Sequence, residues 1–376
     1  MKRSSFLFLC CLIISSCIDR ISIEIPDSYT SQLIVDGVIT DEPGPYTVKL
    51  TRATRIEKFL LLVNNSVSDA KITISDNAGT VELLKETEPG TYQTKANGIQ
   101  GVVGREYSIK IQTKDGKEFE SLPDKMNPVG ELDSLYSELE SYTPLADQTR
   151  YGFRFYVDAQ GPADTENLLR WRFVGVFEID AIPKLHTKFT EGCPCYPDPP
   201  PCSGWMPGEF ELGVCVGLKK VSECTCCTCW VTEPEDKPHV SDPKFVVNGK
   251  YKHVEVGFVP IAFFPFQKKH RIEVRQMSLS RVAYDYWKII QSQKEGAATL
   301  FQPPSGKIRT NIISKSGAEQ AQGIFYASSI KTKQIYISND NIDLRIPRWN
   351  CEVGIIADDC RKAYLFSSTQ PPPDWK

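Results

Sequence analysis

Cysteine is the residue type that most clearly signals chemistry in this sequence. Eight of the thirteen cysteines fall in one short segment: Cys193, Cys195, Cys202, Cys215, Cys224, Cys226, Cys227 and Cys229. Cys351 and Cys360 form a further candidate pair. Thiolates at Cys-x-Cys spacing could bind zinc, whereas oxidised thiols would form disulfides. We predict disulfides and no metal site, because thirteen cysteines beside four histidines suit an oxidising compartment.

The eight clustered cysteines lie in a predicted insertion, residues 183–237. Its many prolines and glycines oppose regular secondary structure, so covalent cross-links would have to supply its order. The neighbours Cys226 and Cys227 should bond to different partners, since a bridge between adjacent residues strains the peptide. Trp205 and Trp230 could give the cross-linked segment a binding tip. A passive surface excursion is an equal alternative.

The first residues have the pattern of an export signal. Lys2 and Arg3 precede an apolar run over residues 6–14, which is shorter than the roughly 20 residues that a membrane-spanning helix needs. The run ends in Ile-Ser-Ser followed by Cys17. This ending resembles the lipobox of bacterial lipoproteins, in which the cysteine thiol takes a diacylglyceryl group before the signal is cleaved.

Lipidation at Cys17 would fix the location of the protein. Several acyl chains hold a protein on a membrane almost irreversibly, at about 0.8 kcal/mol for each buried CH₂ group. We therefore predict a signal peptide at residues 1–16, a tether at residues 17–31 and a lipid anchor at Cys17. An ordinary secretory signal, cleaved elsewhere, is the alternative.

Composition and motifs narrow the classes of function. The chain is 24% charged and 41% hydrophobic, which is typical of a folded protein and not of a disordered or multi-span membrane protein. Its net charge is −3 and it has no long basic run, so we expect no nucleic-acid partner. Metalloprotease, serine-hydrolase and phosphate-loop motifs are absent from the sequence. We therefore predict no catalytic residues and no cofactor, and favour a non-enzymatic function.

Alternating apolar and polar residues predict a mainly β fold. Short strands separated by turn residues run over residues 32–122 and predict an immunoglobulin-like β-sandwich. A proline-punctuated linker leads to a larger β-rich domain, residues 129–376, which contains the cysteine-rich insertion. One conspicuous helix interrupts its strands, with Ser280 as candidate N-cap and Gly296 just past its end.

Several separated segments resemble one family. They are residues 33–46 (LIVDGVITDEPGPY), 275–287 (RQMSLSRVAYDYW), 300–304 (LFQPP), 323–328 (GIFYAS), 359–361 (DCR) and 373–375 (PDW). In this order they are similar to an uncharacterised family of Bacteroidota outer-membrane lipoproteins, a domain of unknown function often encoded beside TonB-dependent receptors. The resemblance implies a location in the outer membrane, with the body on its periplasmic or its outer face, and a TonB-dependent β-barrel as partner. It supplies no catalytic residues.

The resemblance and the anchor together predict a function. We expect a non-enzymatic outer-membrane lipoprotein that captures an unknown ligand for a TonB-dependent β-barrel transporter or otherwise assists it. An envelope hydrolase with an unrecognised site and a structural envelope subunit are the alternatives. In addition, Asp133-Ser134-Leu135 resembles the short O-glycosylation acceptor used in this bacterial group, so Ser134 is a candidate modification site.

Overall fold

The fold was obtained as a computed structural model. It describes residues 32–53, 65–145, 148–162, 166–190, 193–211, 214–215, 217–242, 246–296, 308–315, 317, 320–343, 345–347 and 355–375. The predicted signal peptide and tether lie outside these residues. From Gln32 onward the chain forms one compact unit.

The strands are short near the start of the described chain and longer in its middle. In chain order they are β1 (Leu33–Thr40), β2 (Thr47–Arg52), β3 (Lys71–Asp76), β4 (Val81–Leu83), β5 (Lys85–Glu88), β6 (Thr91–Gln93), β7 (Glu106–Gln112), β8 (Glu118–Ser121), β9 (Asp124–Lys125), β10 (Glu131–Leu145), β11 (Gln148–Gln160), β12 (Leu169–Asp180), β13 (Thr187–Thr190), β14 (Cys193–Pro197), β15 (Trp205–Pro207), β16 (Phe210–Glu211), β17 (Val214–Cys215), β18 (Leu218–Lys220), β19 (Thr228–Pro234), β20 (His239–Val240), β21 (Val246–Val247), β22 (Lys250–Pro260), β23 (Lys269–Ser278), β24 (Ile312–Ser314), β25 (Ala321–Ser328), β26 (Ile330–Ser338) and β27 (Ser367–Ser368). The α-helices of the described chain are α1 (Arg281–Gly296) and α2 (Cys360–Ala363). The predicted mainly β fold with one conspicuous helix is therefore confirmed.

The N-terminal strands form two sheets that share a core. One sheet has the order β25-β1-β2-β6-β5, and the other has the order β24-β8-β7-β3-β4 with β9 on β7. Side chains at alternate positions, such as Leu33 and Val35 on β1, are fully buried between the sheets. Strands from late in the chain complete both sheets, because β25 pairs in parallel with β1 and β24 pairs with β8. The immunoglobulin-like strand order stays a prediction.

The middle of the chain forms a second pair of sheets. Their orders are β10-β11-β22-β21 and β26-β23-β12-β19-β27, with β20 also on β12. Aromatic and branched side chains from both sheets meet in one core, including Trp171 and Phe173 of β12 and Phe155 of β11. On the side away from β10 and β26, β21 pairs with only two residues of β22 and β27 with only two residues of β19. The remaining parts of β22 and β19 form edges that no other described strand covers, and a cleft lies between them.

Helix α1 begins at the residue that the sequence predicts. The hydroxyl oxygen of Ser280 accepts a hydrogen bond from the Ala283 N–H at 3.1 Å, which satisfies one of the free donors of the first turn. The Tyr284 hydroxyl donates to the Ser241 carbonyl at 2.7 Å and fixes the helix against the turn after β20. No helix in the described part of the chain is long and apolar enough to cross a membrane.

The cysteine-rich insertion contains more regular structure than its prolines suggest. Three small antiparallel pairs lie in it, β13 with β14, β15 with β18 and β16 with β17. Single 3₁₀ turns at Pro183–Leu185 and Pro201–Ser203 connect them to their surroundings. The segment is therefore a set of short hairpins that projects from the end of β12 and returns as β19.

Candidate functional site

A cleft lies at the open side of the second sandwich, between β22 of one sheet and β19 of the other. We call it the edge cleft, and its volume is about 340 Å³. Residues 231–236 and residues 256–260 line it without interruption. Successive side chains of a strand point to opposite faces of the sheet, so a cleft on one face would be lined by alternate residues only. A cleft lined by consecutive residues must follow the edge of the strand. The edge cleft is therefore a slot between two strand edges.

The alternation along β19 brings a carboxylate to the floor of the edge cleft. Cys229 and Val231 of this strand point into the core, and Glu233 has the same orientation two residues later. Glu233 lies opposite Gly175 of β12. A Cβ atom at Gly175 would come within 2.6 Å of the His270 Nε2 atom and 3.5 Å of the Glu233 Oε2 atom. Because glycine lacks this atom, the imidazole and the carboxylate can approach each other across the strand.

His270 and Glu233 form an unusual pair. The His270 side chain is fully buried, and neither ring nitrogen has a hydrogen-bond partner among the described residues. Its Nε2 atom lies 3.7 Å from the Glu233 Oε2 atom, which is too long for a hydrogen bond. Burial lowers the pKa of His270 to about 3, so the imidazole is neutral. The pair is therefore not an ion pair at neutral pH.

Glu233 itself has a raised pKa. Its side chain is 42% exposed at the cleft wall, yet the walls remove much of the water around the carboxyl group. This desolvation raises the pKa of Glu233 to about 7. A carboxyl group that titrates near neutral pH in a cleft can bind a cation by losing its proton, or can exchange a proton with a substrate.

The rest of the edge cleft is also acidic. Glu235 and Asp236 line it, and none of its described lining residues is lysine or arginine. Glu235 forms a salt bridge with the buried Arg170, and its Oε2 atom has no hydrogen-bond partner among the described residues. Asp236 is exposed. The edge cleft therefore presents uncompensated negative charge to a ligand.

A second pocket of about 390 Å³ adjoins the edge cleft and shares His239 with it. Its charges are balanced, since Lys237 lies 3.3 Å from Glu295 and Lys288 lies 3.8 Å from Asp242. Burial and the nearby Lys237 lower the pKa of His239. Because its charged groups already have partners, this pocket is the weaker candidate for a charged ligand.

Six cysteines of the described chain lie at disulfide-bonding distance in three pairs. The pairs are Cys202–Cys226, Cys224–Cys227 and Cys229–Cys360, with Cα separations of 5.6, 5.7 and 5.9 Å. Cys193 and Cys195 lie on β14 and Cys215 lies on β17. The predicted lipidation site, Cys17, and the candidate disulfide residue Cys351 lie outside the described residues.

The pairing differs from the sequence interpretation in one respect. Cys360 bonds to Cys229 of β19 and not to Cys351. Helix α2 lies against β19, and the Cys360 N–H donates to the Cys226 carbonyl at 3.2 Å, which places the thiol beneath that strand. Cys202, Cys226 and Asp359 are close enough together to share a metal ion. Both sulfurs belong to one disulfide, however, so they offer no thiolate to zinc.

The remaining predicted site residues lie away from the edge cleft. Trp205 is half-buried on β15. Trp230 is half-buried on β19, with its ring centroid 6.3 Å from that of Trp375 in an edge-to-face contact. Ser134 lies on β10 opposite Asp158, and its hydroxyl oxygen is buried. A sugar on Ser134 would require this oxygen to become exposed. The binding and modification roles of these residues stay predictions.

Two of the family-like segments, residues 275–287 and 323–328, meet at a different place, between α1, β25 and β12. The Arg170 guanidinium lies 3.6 Å from the Trp287 ring centroid and 3.4 Å from the Tyr326 hydroxyl. Asp124 accepts a hydrogen bond from the Ala327 N–H at 2.9 Å and another from Ser280. These contacts connect the two sandwiches, so these two segments act in packing and do not line the edge cleft.

Sequence reasoning missed Glu233, His270 and Gly175. His270 lies between Lys269 and Arg271 on β23, a context that does not mark a fully buried imidazole. The signal that could have found Glu233 is its position two residues after Val231, in phase with the buried side of β19. Gly175, in the middle of the apolar run over residues 173–177 of β12, indicates close approach of another group.

The molecule is thus a mainly β protein of two connected sandwiches with an acidic cleft at one open edge. The chain belongs to the family described as Domain of unknown function (DUF4249), whose model matches residues 18–334. Membership of an uncharacterised family, predicted from the separated segments, is confirmed. No curated protein matches the chain.

Proposed function

We propose that this protein is a ligand-binding lipoprotein of the outer membrane that assists a TonB-dependent β-barrel transporter. The edge cleft is the observation that carries the binding role. It is concave, it opens between two strand edges, and its charged lining residues are acidic. These properties support recognition of a ligand that brings positive charge.

The proposed location depends on the sequence of the export signal and on the cysteines. Lys2, Arg3, the apolar run and Cys17 together have the order of a lipoprotein signal. Paired cysteines at Cys202, Cys224, Cys229 and their partners support a chain that works in an oxidising compartment. The partner rests on the resemblance to Bacteroidota lipoproteins encoded beside TonB-dependent receptors.

The test uses a C-terminally tagged chain in a bacterium of that group, with Cys17→Ala as the matched variant. We expect the wild-type chain in the outer-membrane fraction with an acylated N-terminal cysteine, and a TonB-dependent barrel to co-purify after mild detergent extraction. The variant should leave the membrane fraction. An unmodified N-terminus would contradict the anchor, and repeated absence of a barrel from the wild-type preparation would contradict the partner.

An envelope hydrolase is the second candidate, and the raised pKa of Glu233 favours it. A carboxyl group with a pKa of about 7 can act as general acid or base. Under this proposal the purified chain cleaves an envelope glycan or peptide, and Glu233→Gln lowers kcat by about 10²-fold or more while the fold is retained. Equal turnover by the variant would exclude Glu233 from catalysis, and no turnover by the wild-type chain would count against the hydrolase.

A further inference from the structure

The wall of the edge cleft that β22 forms is an unpaired strand edge. Strand β22 pairs with β11 along its length, whereas β21 covers its other side only at Lys250 and Tyr251 among the described residues. The Ile261 N–H donates to the Tyr151 carbonyl of the β11 side at 2.8 Å. In an antiparallel ladder the direction of these bonds alternates along the strand. The backbone N–H and C=O of Phe258 therefore face the cleft.

The opposite wall of the edge cleft is β19, and its pairing with the neighbouring strand β27 stops before the cleft. Strand β27 pairs with Trp230 and Val231 of β19, and the Thr232 N–H donates to the Phe366 carbonyl at 2.8 Å. Beyond Thr232 no described strand adds to this edge. Leu365 and Phe366 are 94% and 63% exposed at the rim, so they offer apolar surface beside the free edge.

The charge and the buried imidazole point to the chemistry of the occupant. Glu233 and Asp236 line the slot with no lysine or arginine among its described lining residues. Behind Glu233, the fully buried His270 directs an unpaired ring nitrogen towards it. A cationic side chain entering beside Glu233 would give this carboxylate the positive partner that the neutral imidazole does not provide.

We propose that the edge cleft binds an extended, basic segment of a partner protein, which adds as a strand alongside β22. Its backbone would pair with Phe258, a lysine or arginine side chain would reach Glu233 and Asp236, and an apolar side chain would cover Phe366. Strand addition is an established mode of peptide recognition in which main-chain bonds give affinity and alternate side chains give specificity. The inference rests on the proposed function, because it names the class of ligand for the same cleft.

The test measures peptide binding to the detergent-solubilised full chain by fluorescence anisotropy. The probe is a labelled peptide of sequence Thr-Lys-Val-Lys-Val-Thr, and the first control replaces both lysines by glutamate. We expect saturable binding of the basic peptide and at least about tenfold weaker binding of the acidic one. Absence of saturable binding by the basic peptide would overturn the proposal.

Two further peptides separate strand addition from simple charge attraction. Each carries N-methyl groups on alternate residues, in one phase or the other. Because only alternate N–H groups of an added strand face its neighbour, one phase should abolish binding and the other should retain it. Equal affinity of both methylated peptides, or equal loss, would show that the backbone is not paired and would overturn strand addition.

Variants of the chain locate the site. Glu233→Gln and Asp236→Asn should each weaken binding of the basic peptide by about three- to tenfold, whereas Glu88→Gln, on the exposed β5, should leave it unchanged. An unchanged affinity in both cleft variants would overturn the assignment of the peptide to the edge cleft. Concentration-dependent self-association that the cleft variants abolish would also overturn it, because the occupant would then be a second copy of this chain. Failure of peptide binding with barrel co-purification intact refutes strand addition alone. Loss of co-purification with peptide binding intact refutes the transporter role alone.

Discussion

Replacing Glu233 by glutamine should make the stability of the protein less dependent on pH. The ordinary pKa of this carboxyl group is 4.5, and desolvation raises it to about 7 in the folded chain. The unfolded chain therefore releases the proton near pH 4.5, whereas the folded chain keeps it until about pH 7. For this group, stability is highest below pH 4.5 and falls as pH rises through 7.

The size of the effect follows from the difference between the two pKa values. About 2.5 pH units at about 1.36 kcal/mol each would give about 3.4 kcal/mol. The side chain is 42% exposed, so water screens a large part of this energy. We therefore expect Glu233→Gln to be more stable than the wild-type chain by about 1–2 kcal/mol at pH 8 and nearly equal to it at pH 4.5.

The assay is denaturant unfolding of the wild-type chain, Glu233→Gln and the control Glu88→Gln at pH values from 4.5 to 8.5. The difference in unfolding free energy between wild type and Glu233→Gln should grow with pH, while the difference for the control should stay flat. A difference that is constant across this range, or that favours the wild-type chain at pH 8, would refute the account of Glu233.

Three further perturbations test the surroundings of the edge cleft. Gly175→Ala forces a methyl group against the buried His270 and should cost about 1–3 kcal/mol in unfolding free energy, whereas Gly217→Ala, with open space around it, should change stability little. Replacing both Cys229 and Cys360 by serine opens a cross-link that spans 131 residues and should lower the free energy of unfolding by about 5 kcal/mol through loop entropy. Opening the Cys224–Cys227 disulfide, which spans three residues, should cost about 2 kcal/mol. Equal losses in urea unfolding would contradict this. Burial lowers the pKa of His270 from 6.5 to about 3, so on acidification the unfolded chain binds a proton before the folded chain does. Stability should therefore decline by roughly 3–5 kcal/mol between pH 6.5 and pH 3. His270→Gln should flatten that decline in thermal melts.

Local patterns in the sequence predicted the elements well. The Ser280 cap placed the start of α1, and alternating residues gave the mainly β fold. The parallel pairing of β25 with β1 could not be predicted, because the two strands lie far apart in the chain and no residue pattern in either strand indicates its partner. The residues of α1 alone also do not determine which side of the helix is buried. Ala283 and Tyr284 are buried while Val282 is 42% exposed, since contacts with β20 and β25 decide the orientation of the helix.

The candidate site was less accessible to sequence reasoning than the fold. Glu233 and His270 belong to strands that are distant in sequence, and they meet only because β12 separates them with a glycine. A single glutamate or histidine in a strand does not indicate which distant side chain will lie beside it in the fold. Cysteine density did indicate cross-links, but the partner of Cys360 depends on where α2 lies. Pairing between distant segments is thus the information that residue patterns lack.

Photo-crosslinking in living cells tests the central claim most directly. Leu365, at the exposed rim of the edge cleft, is replaced by the photoreactive residue benzoylphenylalanine, and Glu88 is replaced in the same way as a control. The account predicts an adduct from position 365 that contains a peptide of a TonB-dependent barrel and is absent from position 88. No adduct from position 365, or the same adducts from both positions, would contradict the claim that this cleft is where the protein binds its partner.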